Sequence, residues 1–231
     1  MDIQWLGHSA FKVVAGKAHV LFDPFLNGNP LFSGDYGSVV RGATHVLMTH
    51  AHNDHFGDTI DILKRTGATL VANYEICMYV ASVYGDAKIL PINIGGTASA
   101  GEIEVTMVRA HHSSSYAAPD GRVIYGGDPS GLILRVGKRS LYHMGDTCAF
   151  ADMALINELH EPEIGVAPIG DHFTMGGREA ALAVNRWFNF KTVIPCHYRT
   201  FPMLAQSPEL FVKGVESAEV WAPEPMGSRR F

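Results

Sequence analysis

Four times along this chain a strand-like run breaks off into a short loop carrying histidine or aspartate, and that recurrence limits the fold more than any other feature. After Val46–Met48 comes Thr49-His50-Ala51-His52-Asn53-Asp54-His55; after Ile103–Arg109 comes Ala110-His111-His112-Ser113. After Leu141–Met144 comes Gly145-Asp146-Thr147, and after Thr192–Pro195 comes Cys196-His197-Tyr198. One such loop is ordinary turn chemistry, because Asp and His side chains satisfy nearby backbone groups. Four together demand strand ends that converge on one crevice. Burying clustered imidazoles without partners costs free energy, and a metal ion offsets that cost.

The H-x-H-x-D-H string at 50–55 is the densest of these segments. Alternate residues His50 and His52 of an extended segment point the same way and can grip one ion. Adjacent Asp54 and His55, at the turn into a following helix, can face a second. Imidazole and carboxylate are the ligands that zinc, manganese, iron or nickel accept, and paired ions turn water into a nucleophile at neutral pH. The residues therefore imply a metallohydrolase.

The spacing predicts an α/β chain in which strand-rich and then helical segments occur twice. Ile3–Leu6, Phe11–Val14 and His19–Phe22 alternate as strands, followed by helices at Thr59–Arg65 and Tyr74–Tyr84 around a strand at Thr69–Ala72. Strands at Lys88–Ile92, Val123–Tyr125, Leu132–Val136 and Ile164–Ile169 follow, with helices near Ala149–Leu159, at Gly177–Trp187 and at Pro208–Val215. That order fits two mixed sheets packed face to face with helices outside. No linker divides the chain, so residues 1–231 read as one domain, and the 47% apolar fraction supplies its core. The long Gly/Asn/Pro-rich stretch Asn27–Gly42 reads as a mobile lid over the metals.

A formal charge of -5 gives no general attraction to nucleic acid or anionic lipid. The first residues lack the basic start and apolar core of a signal peptide, so a cytoplasmic protein without a membrane span is expected. Cys77, Cys148 and Cys196 are odd in number and lack C-x-x-C spacing, which reads as reduced thiols.

The order H-x-H-x-D-H, His-Ser, Gly-Asp-Thr and a late strand-end His resembles the metallo-β-lactamase superfamily across nearly the whole chain. Leu6-Gly7-His8-Ser9, Asp23-Pro24-Phe25, Gly170-Asp171-His172-Phe173-Thr174-Met175 and Cys196-His197-Tyr198 are similar to its UPF0173 hydrolases, related to the L-ascorbate-6-phosphate lactonase branch. The resemblance implies a four-layer αββα sandwich. It implies one metal on His50, His52 and His112 and another on Asp54, His55 and His197, with Asp146 bridging both. His112 rather than His111 is implied because the ligand precedes Ser, although the doubled histidine leaves a one-residue ambiguity. The ions are expected to be zinc, with manganese, nickel or iron as alternatives.

The expected activity is attack by a hydroxide bridging the two ions on an ester, lactone or phosphodiester bond of a small soluble substrate. Asp54 or Asp146 is expected to take the water's proton, and His172 or a metal-bound water to protonate the leaving group. His8 and Asp23 are read as orienting a ligand imidazole. His111, Tyr198 and Thr200 are weaker candidates for the same pocket. His19, His45, His143 and His160 read as core or surface residues. A phosphodiesterase or nuclease acting on nucleotides or RNA, and a non-catalytic metal-binding protein, stay open as alternatives. Self-association through an apolar strip on the last helix is compatible with the sequence.

Overall fold

A computed structural model describes residues Met1–Phe231. The first half runs β1 (Asp2–Gly7), β2 (Ala10–Ala15), β3 (Ala18–Phe22), α1 (Tyr36–Val40), β4 (His45–Leu47), α2 (Asn53–Phe56), α3 (Thr59–Thr66), β5 (Thr69–Asn73), α4 (Tyr74–Val83) and β6 (Lys88–Ile92). The second half runs β7 (Thr97–Ala100), β8 (Ile103–Arg109), β9 (Ser115–Ala117), β10 (Val123–Tyr125), β11 (Ser130–Val136), β12 (Arg139–His143) and α5 (Met153–His160). It closes with β13 (Ile164–Pro168), α6 (Gly177–Trp187), β14 (Thr192–Cys196), α7 (Glu209–Gly214), β15 (Glu219–Val220) and β16 (Ser228–Arg230).

Two seven-stranded sheets result, in the orders β16-β1-β2-β3-β4-β5-β6 and β15-β14-β13-β12-β11-β8-β7, beside the small β9–β10 hairpin. Side-chain alternation sorts the first sheet between two cores. Val20, Phe22, Leu47 and Val71 face the larger core, which spans both sheets and reaches Met153, Ala180, Val184 and Phe211 of α5, α6 and α7. Their neighbours Leu21, Val46, Met48, Leu70 and Ala72 pack against α1, α3 and α4 through Val39, Ile62, Leu63, Ile76 and Val80. This is the layered αββα arrangement. Burial of a side chain such as Phe22 contributes roughly 1.5–3 kcal/mol. No helix is long and apolar enough to cross a membrane.

Strand direction places the site. In the first sheet β1 is antiparallel to β2, β2 to β3, and β3 is parallel to β4, so β1, β3 and β4 run the same way. In the second, the same reasoning aligns β8, β12, β13 and β14. The C-terminal ends of these strands carry His8, Asp23, the 50–55 string, His111 and His112, Asp146, the 170–176 loop and His197. Backbone bonds join the two groups of ends: His197 N–H donates to His8 O (3.0 Å) and Ser130 N–H to Thr49 O (3.1 Å). Gly145 makes the approach possible, because a Cβ there would lie 2.5 Å from Ser130 O and 3.0 Å from Thr49 Cβ.

Two expectations need correction. The helix expected from Ala149 begins at Met153, because Cys148 N–H is drawn to His111 O and the chain turns before the helix starts. The stretch Asn27–Gly42 is fastened down and forms no lid. Asn29 is buried with its amide donating to Phe25 O (3.0 Å), the Asp58 carboxylate takes Asn27 N–H (2.8 Å), and Tyr36 Oη–H donates to Asp61 Oδ2 (2.6 Å). Helix α1, capped by Asp35, buries Val39 and Val40. The last helix keeps Leu210 and Val212 exposed while burying Phe211.

Candidate metal centre

Asp146 Oδ2 stands at the centre of the strand-end loops. It lies 3.0 Å from His197 Nε2, 3.3 Å from His55 Nε2, 3.6 Å from His112 Nε2 and 3.9 Å from His50 Nε2. Two ligand clusters flank it: His50, His52 and His112 on one side, and Asp54, His55, His197 and His8 on the other, each with ligating atoms within 4.8 Å of one another. The backbone explains the first. Extended residues 50–52 send both imidazoles the same way, leaving His50 Nε2 3.1 Å from His52 Nδ1. The turn into α2 then reverses the chain and sends Asp54 and His55 to the other side.

Behind the cluster, Asp23 fixes which ring nitrogens face inward. Its buried Oδ2 accepts from His55 Nδ1–H (2.8 Å) and from Thr49 Oγ1–H (2.6 Å), while Oδ1 accepts from Thr49 N–H (2.8 Å). With its proton committed to Asp23, Thr49 Oγ1 can only accept from His50 Nδ1–H at 3.0 Å. One carboxylate thus sets two tautomers and leaves the Nε2 lone pairs of His50 and His55 free to ligate. Nothing local singles out Thr49 beyond its place at the head of the string.

The residues fit a divalent cation. His55 Nε2, His197 Nε2 and Asp146 Oδ1 are buried without a hydrogen-bond partner, a costly arrangement that a cation relieves. Burial drives His50 well below the usual imidazole range, and it lowers His52 and His112 as well, so these rings are in the neutral, ligating form. Burial opposes the charge on Asp146, yet His197 and His55 hold its carboxyl well below the usual range. His55 is also opposed by burial, but Asp146 and Asp23 raise it well above an ordinary histidine. The centre therefore calls for positive charge, which a cation at His55 Nε2 would supply in place of a proton.

The remaining sequence candidates fall in different places. Asp23 reaches an imidazole, as above. His8 reaches a carboxylate: its Nε2 lies 3.0 Å from Asp54 Oδ2, its Nδ1 2.8 Å from Thr200 Oγ1, and its ring centroid 4.0 Å from that of His197. Burial pushes His8 down to about 4, so the neutral ring donates Nε2–H to Asp54 while Thr200 donates to Nδ1. For Asp54, burial again opposes ionisation, but the His8 hydrogen bond and the charge of His55 keep the carboxyl low. His111 joins neither cluster; its ring is exposed and stacks on Phe150 at 4.4 Å. Tyr198 is buried against Trp5 at 5.3 Å, a packing contact. His172 is exposed and does not line the cleft, whereas Phe173, next in the chain, does. His143 is buried in the core; His19, His45 and His160 lie outside the cluster, half-buried.

A cleft of about 290 Å³ opens onto the centre, lined by His52, Asp54, His112, Ser113, Asp146, Phe173 and His197. Ser113 Oγ lies 3.3 Å from His52 Nε2 and so steadies that ring from the cleft side.

The sequence model of the Beta-lactamase superfamily domain matches residues 2–197, from the first strand through the last ligand loop. A UPF0173 metal-dependent hydrolase of Mesorhizobium japonicum is 52% identical over 222 residues, covering 95% of this chain and 94% of the relative. The chain belongs to the beta-lactamase superfamily, in its UPF0173 metal-dependent hydrolase group. A UPF0173 relative from Sinorhizobium medicae is 52% identical over 227 residues, covering 97% of each chain. Among solved structures, a metallo hydrolase of the hyperthermophilic archaeon Ignicoccus hospitalis matches this UPF0173 chain with a TM-score of 0.85 at 33% identity, covering 100% of this chain and 98% of that one. The family and fold implied by the sequence motifs both hold.

Proposed function

We propose that this protein hydrolyses a carboxylic ester or lactone of a small soluble substrate, using two divalent cations held in the Asp146 centre. The observation that carries the reading is Asp146 Oδ2 within 3.9 Å of four imidazole nitrogens drawn from two separate clusters. His50, His52 and His112 would hold one ion and Asp54, His55 and His197 the other, with Asp146 shared. Such ions supply a water nucleophile at neutral pH and polarise the carbonyl under attack.

The chain's own groups do the rest. Asp23 and Thr49 hold the Nδ1 protons of His50 and His55, so that Nε2 is the nitrogen each ring would present to an ion. Asp54, half-buried at the cleft with Oδ2 tied to His8, would take the attacking water's proton on its carboxylate and return it to the departing oxygen. No Ser or Cys nucleophile is required. None of the residues lining the cleft is Lys or Arg, the partners a phosphodiester's charge ordinarily recruits, which favours a neutral carbonyl group. A cleft of about 290 Å³ suits a small molecule.

The test is turnover of protein loaded in parallel with zinc, manganese, nickel or iron on matched panels of lactones, esters and phosphodiesters, with Asp146→Ala as control. Ester or lactone cleavage that disappears in the variant is expected. Cleavage confined to phosphodiesters overturns the carbonyl reading, and silence on all panels with two ions bound favours a metal-binding protein instead.

A further inference from the structure

Phe173 is the one apolar residue lining an otherwise polar cleft, and its side chain stands largely in water, 55% exposed. An aromatic ring left in solvent beside buried metal ligands has surface to offer a ligand. Its backbone is unusually constrained for a surface position. Gly170 and Gly176 pair across the base of its loop, Asp171 N–H donates to Met175 O (3.0 Å), and Gly170 N–H donates to Thr174 Oγ1 (3.1 Å). Thr174 and Met175 are buried, and Asp171 is held at φ +70, a conformation that side chains other than glycine's seldom adopt.

The loop is also fastened to both halves of the centre. Met175 N–H donates to Thr147 O (3.1 Å), one residue beyond Asp146. On the other side Gly170 rests so closely on His197 that a Cβ would lie 2.4 Å from His197 O and 2.7 Å from its Nδ1. The His172 ring meets Phe173 edge-on at 4.5 Å and props it. The backbone that carries the ring is therefore held in place relative to Asp146 and His197, as the mount of a recognition element must be.

We propose that Phe173 is the specificity-determining residue of this centre and binds an aromatic or other apolar group attached to the acyl carbon of the substrate. The inference rests on the carbonyl-hydrolase reading above and narrows its substrate to apolar esters and lactones. The polar lining, His52, Asp54, His112, Ser113 and His197, surrounds the reacting group, while Phe173 covers the part of the molecule that does not react.

The experiment compares the binding of benzohydroxamate and acetohydroxamate to metal-loaded protein by calorimetry, in wild type, Phe173→Ala and Phe173→Leu, with metal content measured for each. Phe173 is exposed, so its removal leaves the core intact. Wild type is expected to prefer benzohydroxamate roughly 10- to 100-fold, the ratio corresponding to burial of one aromatic side chain. Phe173→Ala should erase that preference without changing acetohydroxamate affinity or metal content, and Phe173→Leu should keep part of it. No preference in wild type, or a preference that survives in Phe173→Ala, overturns the proposal. Turnover of the ester and lactone panels is scored separately: a Phe173-dependent preference without turnover removes the hydrolase reading alone. Turnover without the preference removes the Phe173 assignment alone.

Discussion

Replacing Asp23 by Asn tests whether one buried carboxylate governs both halves of the centre. The substitution keeps size and shape, and Asn tolerates the positive φ of +40 that Asp23 adopts. If the amide oxygen takes Thr49 N–H in place of Oδ1, the amide nitrogen must face His55 Nδ1 and Thr49 Oγ1 where Oδ2 now accepts from both. A donor there forces His55 to carry its proton on Nε2, the atom 3.3 Å from Asp146. It also frees the Thr49 hydroxyl to donate to His50 Nδ1, which moves the His50 proton to Nε2 as well. Each cluster then loses one lone pair. Loss of such an outer partner ordinarily weakens metal binding by about 10- to 100-fold, and here the loss is expected at both ions. The metal-free protein loses a charge-assisted bond to His55, about 1.5–3 kcal/mol, or roughly 3–12 °C in unfolding temperature for a domain of this size. Chelator competition monitored by metal analysis reads the first effect, and thermal unfolding in EDTA the second. Wild-type affinity for both ions, combined with the expected fall in metal-free stability, would falsify tautomer control by Asp23.

Three further outcomes follow from particular contacts. Gly170→Ala, whose Cβ would meet His197 O at 2.4 Å, should shift His197 and lower metal content to about one ion per chain; two ions at wild-type affinity refute the close approach. His112→Ala should lose an ion while His111→Ala keeps both, because only His112 faces Asp146; metal analysis of the pair decides between the two registers. His143 accepts Gly145 N–H at Nδ1 and donates Nε2–H to Ser9 O, so its ring is neutral in the fold, and burial lowers its pKa. Its folded pKa lies below that of the unfolded chain, about 6.5, so protons favour the unfolded state and this contribution to stability is lost as pH falls below that value. An NMR titration of the His143 ring should show no inflection near 6.5, and an inflection there contradicts the assignment.

The site was legible in sequence wherever its residues were strand-end neighbours. The alternation of His50 and His52 and the turn at Asp54 and His55 follow from local backbone periodicity, and α6 begins and ends where its apolar spacing does. Partnerships across long separations were not legible. His8 meets Asp54 across 46 positions and Thr200 across 192, and no local pattern encodes either pairing. The lid expectation failed for a related reason. Gly, Asn and Pro report backbone freedom, but Asn29 spends its side chain on Phe25 O and Leu31 N–H, and Asp58 fastens residues 26 and 27 from another element. Helices α1 and α2 and strand β9 are too short for periodicity to register. Phe173 gave no signal either, since a phenylalanine in a turn is ordinarily packing.

The backbone itself supplies an argument that the centre was built for its side chains. Seven non-glycine residues have positive φ, and five of them, His8, Asp23, Asp171, His197 and Arg199, lie at the strand ends around Asp146. His8, Asp23 and His197 are each the first residue after a strand, at φ 54, 40 and 58. A left-handed residue at that position stops the alternation of the strand and turns its side chain over the sheet end. Glycine would adopt the conformation freely, whereas another residue costs about 1–2 kcal/mol. Strain repeated at the ends of β1, β3 and β14 persists only where the side chain is needed more than the relaxation. In all three positions that side chain is an imidazole or carboxylate within hydrogen-bonding distance of another member of the centre or of Asp146. The strain and the clustering thus coincide at His8, Asp23 and His197, one read from φ angles and the other from distances.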